Sequence, residues 1–388
     1  MIDVATAYTD LRASADAGAA LGEQLRASLR GEVPDAVVLF ASSRYDYRPL
    51  LEALTEHCGP KALVGCSSAG EFTSRRLGEG AASAVALRSD EMQFSAVAAS
   101  GLSTGHVAAA KRLVSGFQGR SLGSCRSRAA LVLVDALAGH ADALVEQLTV
   151  LTSGRYQFFG GGAGDDARFQ RTHVFCGTEA MSDAVVALEI LSNKPLGVGV
   201  RHGWRPASAP LRVTEAEGMR LVSLDGEPAV EAFREHAALT GQAFDERDPI
   251  PFFLHNVIGI ATGEGYRLRV PLALEEDGAI VCAAEVPAGA TVCLMGTTGT
   301  SAAEAAAQAA RAACEQLGEH RPKLAFVFDC VATRLRLGRE FGAELDAARS
   351  MTDPASYVGF NTYGQIARSR GQFGGFHNCT AVACVLPE

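Results

Sequence analysis

The sequence predicts an α/β protein: two related halves with mixed β-sheets flanked by helices, built from a recurring strand–helix–strand–glycine-loop unit. Three observations predict it. Hydrophobic residues fill 48% of 388 positions, enough for a large buried core and too many for a disordered chain. Apolar runs of strand length alternate with segments of helical periodicity. One arrangement of these elements, closed by a glycine loop, recurs along the chain. Glycine is itself in excess, at 41 residues against about 7% in average proteins. With no Gly-X-Y period, these glycines serve turns, close backbone approaches or ligand loops.

The first copy of the unit opens on the strand-like run Pro34-Asp-Ala-Val-Val-Leu-Phe-Ala41. Arg48 to His57 follows with apolar positions at helical spacing. Val64-Gly-Cys-Ser-Ser-Ala-Gly-Glu-Phe72 reads as a strand ending in a glycine loop, and Ala82 to Leu87 as a further strand. A looser second copy has a strand at Ala129 to Asp135, a helix at Ala141 to Val150, the loop Phe158-Phe-Gly-Gly-Gly-Ala-Gly-Asp-Asp166, and a strand at Ala184 to Ile190. The last copy has Pro322 to Asp329, then Val358-Gly-Phe-Asn-Thr-Tyr-Gly-Gln-Ile366, then Thr380 to Leu386. Its glycine loop shares the pattern V-G-x-x-[ST]-x-G-[EQ]-apolar with the first. Strand–helix–strand spacing requires parallel pairs, and the trailing strands add antiparallel neighbours.

Residues 195–295 have a different texture, inserted before the last unit. Pro195 to Trp204 reads as a strand leading to a tight turn, and Leu211 to Gly218 with Arg220 to Gly226 as a hairpin turning at Gly218. Pro228 to His236 reads as a short helix with proline near its start. Strands follow around Val257, Tyr266 to Val270, Ala279 to Ala283 and Ala290 to Met295. Ser301-Ala-Ala-Glu304 reads as a capping box opening an alanine-rich helix through Leu317. A seam near residues 193–210 divides the chain into domains at 1–200 and 201–388.

The formal charge of −9 and pI of about 5.6 leave no dominant basic surface, arguing against nucleic-acid or anionic-lipid partners. Met1 to Asp10 has neither a basic n-region nor a long apolar run, and no stretch approaches the ~18 apolar residues of a membrane span. Ten cysteines, none in C-x-x-C spacing, read as reduced thiols of a cytoplasmic protein.

Chemistry-bearing motifs are sparse. No Walker A lysine and no G-x-S-x-G elbow is present. The Gly160–Gly164 loop lacks a G-x-G-x-x-G register, and Asp165 and Asp166 after it would repel a pyrophosphate while offering a pair of oxygen ligands to a divalent cation. Cys66, at a strand end, is a candidate nucleophile. Gln372-Phe-Gly-Gly-Phe-His-Asn-Cys-Thr380 is more unusual. His377 sits there beside Phe373 and Phe376, and a neutral imidazole in an apolar aromatic pocket suits haem iron. Cys330, Cys379 and Cys384 fall near the ends of strands expected to be neighbours, with Cys66 in a corresponding loop, so an iron–sulfur cluster is the alternative metal reading. Arg334, four residues after Cys330, is placed to pair with an anionic group.

Taken in order, these residues resemble the FIST family, a bacterial sensory module of paired N- and C-terminal halves. The resemblance rests on Leu39-Phe-Ala-Ser42, Leu63 to Glu71 and Gly160 to Asp166. In the C-terminal half it rests on Val198 to Trp204, Val213 to Gly218, Leu224 to Ala229 and Phe376-His-Asn-Cys-Thr380. One departure is Gln365, where the family's Gly-Glu pair becomes Gly364-Gln365. The resemblance implies sensing rather than catalysis. One branch resembles haem-binding nitric-oxide sensors that act with histidine kinases and cyclic-di-GMP enzymes. By that branch, His377 is the expected axial ligand, with Arg334, Tyr363 and Phe376 around the cofactor. With no kinase, methyl-acceptor or GGDEF-like segment attached, the chain is expected to act by contact with a separate partner. Two other readings stand beside this one. The first is a metal-free module for an amino acid or other small molecule, held by glycine-loop amides around Gly65–Gly70 and Gly359–Gly364. The second is an enzyme using Cys66 or Cys330 as nucleophile.

Overall fold

The computed structural model describes residues 2–120, 125–263, 265–368 and 374–388; Phe373 lies outside them. The expected unit is present three times. The first comprises β1 (Ile2–Thr9), α1 (Ser14–Ser28), β2 (Ala36–Ser42), α2 (Tyr47–Cys58), β3 (Ala62–Ser68), the short hairpin β4 (Glu71–Thr73) and β5 (Arg76–Gly78), and β6 (Ala82–Ser89). The second runs through β7 (Met92–Ser100), α3 (Leu102–Ser115), β8 (Ser127–Val134), α4 (Ala141–Leu151), β9 (Gln157–Gly162), β10 (Val174–Cys176), β11 (Glu179–Met181) and β12 (Ala184–Ser192).

The third opens with β13 (Gly197–Arg201) and is interrupted by the inserted segment. That segment holds β14 (Arg205–Pro206), β15 (Leu211–Glu217), β16 (Arg220–Leu224), β17 (Glu227–Pro228), α5 (Ala229–Thr240), α6 (Ile250–Phe253), β18 (Val257–Thr262), β19 (Gly265–Arg269), β20 (Pro271–Leu274), β21 (Ile280–Cys282) and β22 (Thr291–Gly296). The unit resumes with α7 (Gly299–Glu315), β23 (Pro322–Cys330), α8 (Val331–Leu337), α9 (Phe341–Thr352), β24 (Ser356–Thr362), β25 (Gln365–Arg368), β26 (Gly374–His377) and β27 (Ala381–Pro387).

Each unit builds a six-stranded sheet, but none builds it alone. The orders are β1-β6-β2-β3-β10-β11, β7-β12-β8-β9-β25-β26 and β13-β27-β23-β24-β4-β5. The short hairpin after each parallel pair crosses to a neighbour. The first unit's completes the third sheet, the second's the first, and the third's the second. The pairs β2/β3, β8/β9 and β23/β24 are parallel, and each trailing strand runs antiparallel to the first of them. The mixed sheets expected from the sequence are thus observed.

Burial follows the period of two. Phe40, Leu133 and Phe328 point into one central core shared by the three sheets. Their neighbours Leu39, Val132 and Val327 point outward under the helices of their own units. Both faces are covered, which is why the strands read as unbroken apolar runs. At the centre Phe40 stacks on Phe360 at 4.5 Å and meets Phe328 edge-on at 6.2 Å. The parallel strands of each unit approach closely at equivalent glycines. A Cβ on Gly65, Gly160 or Gly359 would sit 2.2, 2.1 or 1.8 Å from the carbonyl oxygen of Leu39, Val132 or Val327.

The helices form for ordinary reasons. On α2, Leu50, Leu51, Leu54 and Cys58 share the buried face, and Gly59 at φ 64° ends the helix by donating its N–H to the Thr55 carbonyl. The alanine-rich α7 packs directly on β13, where a Cβ on Gly197 or Gly199 would sit 1.8 or 1.9 Å from a helix carbonyl. Its cap differs from the expected Ser301–Glu304 box: Thr298 is the N-cap, and Ser301 supplies the reciprocal bond. The helix begins earlier than its alanine run because Thr298 holds the extended geometry a cap requires. The inserted segment forms a separate nine-stranded sheet with its own core around Phe233, Phe252 and Phe253. Among the described residues, no helix is long and apolar enough to cross a membrane.

Candidate functional site

The parallel strands of all three units end on one side, and their loops meet there. The second unit's glycine loop lies between the other two. Gly164 and Asp166 N–H groups donate to the carbonyls of Ser67 and Ser68, and the Gly162 N–H to that of Gly364. Ala69 N–H donates to the Asn361 carbonyl and Tyr363 N–H to that of Gly162. Of the amides expected to hold an amino acid or other small molecule, those of Ala69 and Tyr363 therefore join the units to one another.

The acidic pair is likewise committed. Asp165 accepts N–H groups of Phe169, Gln170 and Arg171 at 2.7–2.8 Å and the Tyr363 hydroxyl. Asp166 accepts from the Ser42 hydroxyl and the Ser43 N–H, each at 2.9 Å. Both carboxylates are structural acceptors, and among the described residues no three His, Cys, Asp or Glu side chains converge as a metal site.

Beside this meeting point the inserted sheet leans over the body, leaving a cleft of about 680 Å³ including its mouth. The body supplies Ala136, Leu137 and Phe169 from the second unit, and Val331, Ala332 and Leu335 on α8. Val270, Pro271, Leu272 and Ala283 form the inserted wall, with Ile250 and Leu254 beside it. Cys330, Tyr363, Gly364 and Asn378 complete the lining. The rim is apolar and open: Leu137, Phe169, Ile250 and Leu335 are 37–44% exposed. Polar groups are few. The Tyr363 hydroxyl is bound to Asp165, and its ring stacks on Phe169 at 4.3 Å. The Asn378 Oδ1 is buried without a partner. A second cleft shares Ala136, Leu137 and Ala283 with the first and continues past Asp142 to Phe376.

Cys330 stands where β23 gives way to α8. Its thiol is lowered to about 6, mainly because the Cys379 thiol donates a hydrogen bond to it; N–H groups of Cys379 and Ala332 and the Gln365 amide assist against burial. Cys379 is pushed well above the usual thiol range by that same bond and by burial. Cys66, fully buried in the central core, is also raised well above it, chiefly by desolvation. Of the two nucleophile candidates, only Cys330 reaches the cleft. The four cysteines of the cluster reading divide: Cys330 and Cys379 pack together, whereas Cys66 and Cys384 lie in the central core.

The residues expected around haem are distributed rather than gathered. Tyr363 lines the first cleft and Phe376 the second. Arg334 is 8% exposed and pairs with Glu79. His377 lies in neither lining and is 4% exposed. Burial, with Arg267 and Arg269 nearby, lowers its pKa to about 3, and its Nε2 has no hydrogen-bond partner. The imidazole is thus neutral with a free Nε2, the state iron requires, but it is sealed from both clefts. As arranged, these residues do not fit a haem without repacking. Gln365, the departure from the family pattern, is fully buried, with its amide 2.6 Å from Thr362 Oγ1.

Two features escaped the sequence reading: the apolar cleft wall and the buried link between Arg269 of the inserted sheet and Asp142 of α4, 2.6 Å apart. Arg269 also donates to the Phe376 carbonyl at 3.3 Å. An arginine closing a strand carried no local signal that its partner lay on a distant helix.

A three-unit α/β body with an inserted sheet and a sheltered apolar cleft defines a small-ligand-binding module. The FIST N domain family model matches residues 35–227 and the FIST C domain residues 229–368. The chain belongs to the FIST family, whose domains are signal-transduction sensors that bind small ligands. A search among curated proteins found no match.

Proposed function

We propose that this chain senses a small, largely apolar organic molecule bound without metal in the cleft between the three-unit body and the inserted sheet. The observation that carries this reading is the rim. Leu137, Phe169, Ile250 and Leu335 come from four separate segments and leave large apolar surfaces open around a sheltered floor, the signature of a ligand site. The unpartnered Asn378 Oδ1 favours a ligand with one hydrogen-bond donor, since filling it removes a buried unsatisfied acceptor. A ligand touching both walls would favour one setting of the inserted sheet against the body, which is how occupancy would reach a partner surface. That partner, on the family's pattern, is a histidine kinase or a cyclic-di-GMP enzyme regulated by contact. Thermal-shift screening of the full chain against small apolar donors, with amino acids as a separate arm, tests the ligand class. The expected result is stabilisation that rises with ligand concentration and is lost in Leu335→Glu. The absence of any shift across the apolar arm overturns the reading.

Haem at His377, with nitric oxide as the signal, is the second reading. It is favoured by the neutral, unpaired Nε2 and would require the packing of Phe376 against Gly364 to open. A Soret band that forms on adding haem and changes in His377→Ala supports it. No band, or one unchanged in the variant, removes it.

A further inference from the structure

The geometry points to Cys330 and Cys379 as a redox-active dithiol at the floor of the cleft, closed to a disulfide by an organic hydroperoxide that enters along the apolar wall. It needs the opening of the cleft and not the ligand proposed above.

Strand pairing brings the two residues together. β23 and β27 run antiparallel with Phe328 opposite Val382. That last pair stands two residues before Cys330 and three after Cys379. Gln365 spans the same gap: with its amide oriented to satisfy both ends, it lies 3.2 Å from the Cys330 N–H and 3.2 Å from the Thr380 carbonyl. A disulfide spans Cα atoms about 4.4–6.8 Å apart. The two side chains share one apolar cluster with Ala332 and Cys293. Cys330 lines the cleft, whereas Cys379 stands behind it. One thiol therefore meets the oxidant and the other resolves the product. The Cys379 thiol lowers that of Cys330 and so favours its thiolate, the nucleophilic form.

The chemistry balances. The Cys330 thiolate attacks the terminal peroxide oxygen and takes its hydroxyl group. The O–O bond breaks, leaving a sulfenic acid and an alkoxide, and the alkoxide takes the Cys379 proton. The resulting Cys379 thiolate attacks the Cys330 sulfur and expels hydroxide, which a solvent proton converts to water. The peroxide is reduced by two electrons to an alcohol, and the dithiol is oxidised by two to a disulfide. An external dithiol reverses the change by exchange. The apolar walls select for the organic substituent: each buried methylene contributes about 0.8 kcal/mol and tenfold is about 1.4 kcal/mol.

The test uses the full-length reduced protein treated with cumene hydroperoxide or hydrogen peroxide, then alkylated, digested without reductant and mapped by mass spectrometry. The expected result is one linked peptide pair, Cys330 to Cys379, forming about tenfold or more faster with cumene hydroperoxide. In Cys379→Ser, a dimedone adduct is expected on Cys330. Both thiols remaining alkylatable in the wild type overturns the dithiol, and so does a cross-link or adduct confined to other cysteines. Equal rates with the two peroxides overturn the role of the cleft. The wild-type peptide map decides the matter even where Cys379→Ser fails to fold. A negative thermal-shift screen does not bear on it.

Discussion

Glu71 and Gln365 occupy equivalent places after the glycine loops of the first and third units. Each reaches the hydroxyl of the residue three before it, Ser68 for Glu71 and Thr362 for Gln365, and Glu71 also accepts the Ala81 N–H at the start of the trailing strand. Burial raises the Glu71 carboxyl to about 8, so the fold holds it protonated. Its contribution is full below the unfolded value near 4.5 and is lost as pH rises through about 8. Glu71→Gln copies the third unit and abolishes that loss. Relative to wild type, the variant gains stability between pH 5 and 8, by at most about 1.4 kcal/mol per pH unit, read by urea denaturation across that range. His377 acts at the other end. With its folded value depressed to about 3, its contribution is complete above 6.5 and is lost as pH falls toward 3. His377→Gln therefore flattens the acid limb of the same curve. At Cys330, lowered to about 6, iodoacetamide labelling is expected to rise through that pH and level off by neutrality. Cys66 and Cys384, both pushed well above the usual thiol range by burial, stay unlabelled; equal labelling of all three would refute the assignment.

At the level of elements, the unit was legible because its strands are buried on both faces and so read as continuous apolar runs. The helices α2 and α4 were legible through their periodicity. The crossing hairpins were not, because three- and four-residue strands such as Glu71–Thr73 and Gln365–Arg368 are too short to carry a pattern. Nor was the partner of each, which lies in another unit. The glycines of β3, β9 and β24 were visible as motif positions, but the reason for them is spatial: a carbonyl oxygen of the parallel neighbour occupies the place of a Cβ. Gly359→Ala is expected to destabilise the protein by about 3 kcal/mol or more, since the obstacle at 1.8 Å is backbone of the central strand and has no rotamer to change. Denaturant midpoints of Gly359→Ala and of Gly342→Ala, where nothing lies within 4 Å, separate this effect from simple loss of glycine. The cleft was equally hidden from the sequence. Its walls come from residues 136–169, 250–283 and 330–378, most of them unremarkable apolar residues in their own segments; Cys330, Tyr363, Gly364 and Asn378 lay in motifs the sequence marked, but nothing local joined them to the rest.

For the molecule as a whole, the inserted sheet is fastened where Arg269, 1% exposed, meets Asp142. Arg267 joins the same carboxylate at 3.2 Å. Asp142→Ala leaves a buried guanidinium uncompensated and is expected to cost about 3–5 kcal/mol, with earlier proteolysis of the inserted segment than of the three-unit body. Cleavage that begins in the body instead would show that the link does not hold the insert. The cyclic exchange of hairpins has a consequence for biosynthesis. As the chain leaves the ribosome, β9 is made early, but the strand that covers its edge, β25, follows only after the whole inserted sheet. Through that interval the nascent protein carries a Phe158–Phe159 edge with unpaired backbone groups, the kind of surface that chaperones bind and that pairs with other chains when left alone.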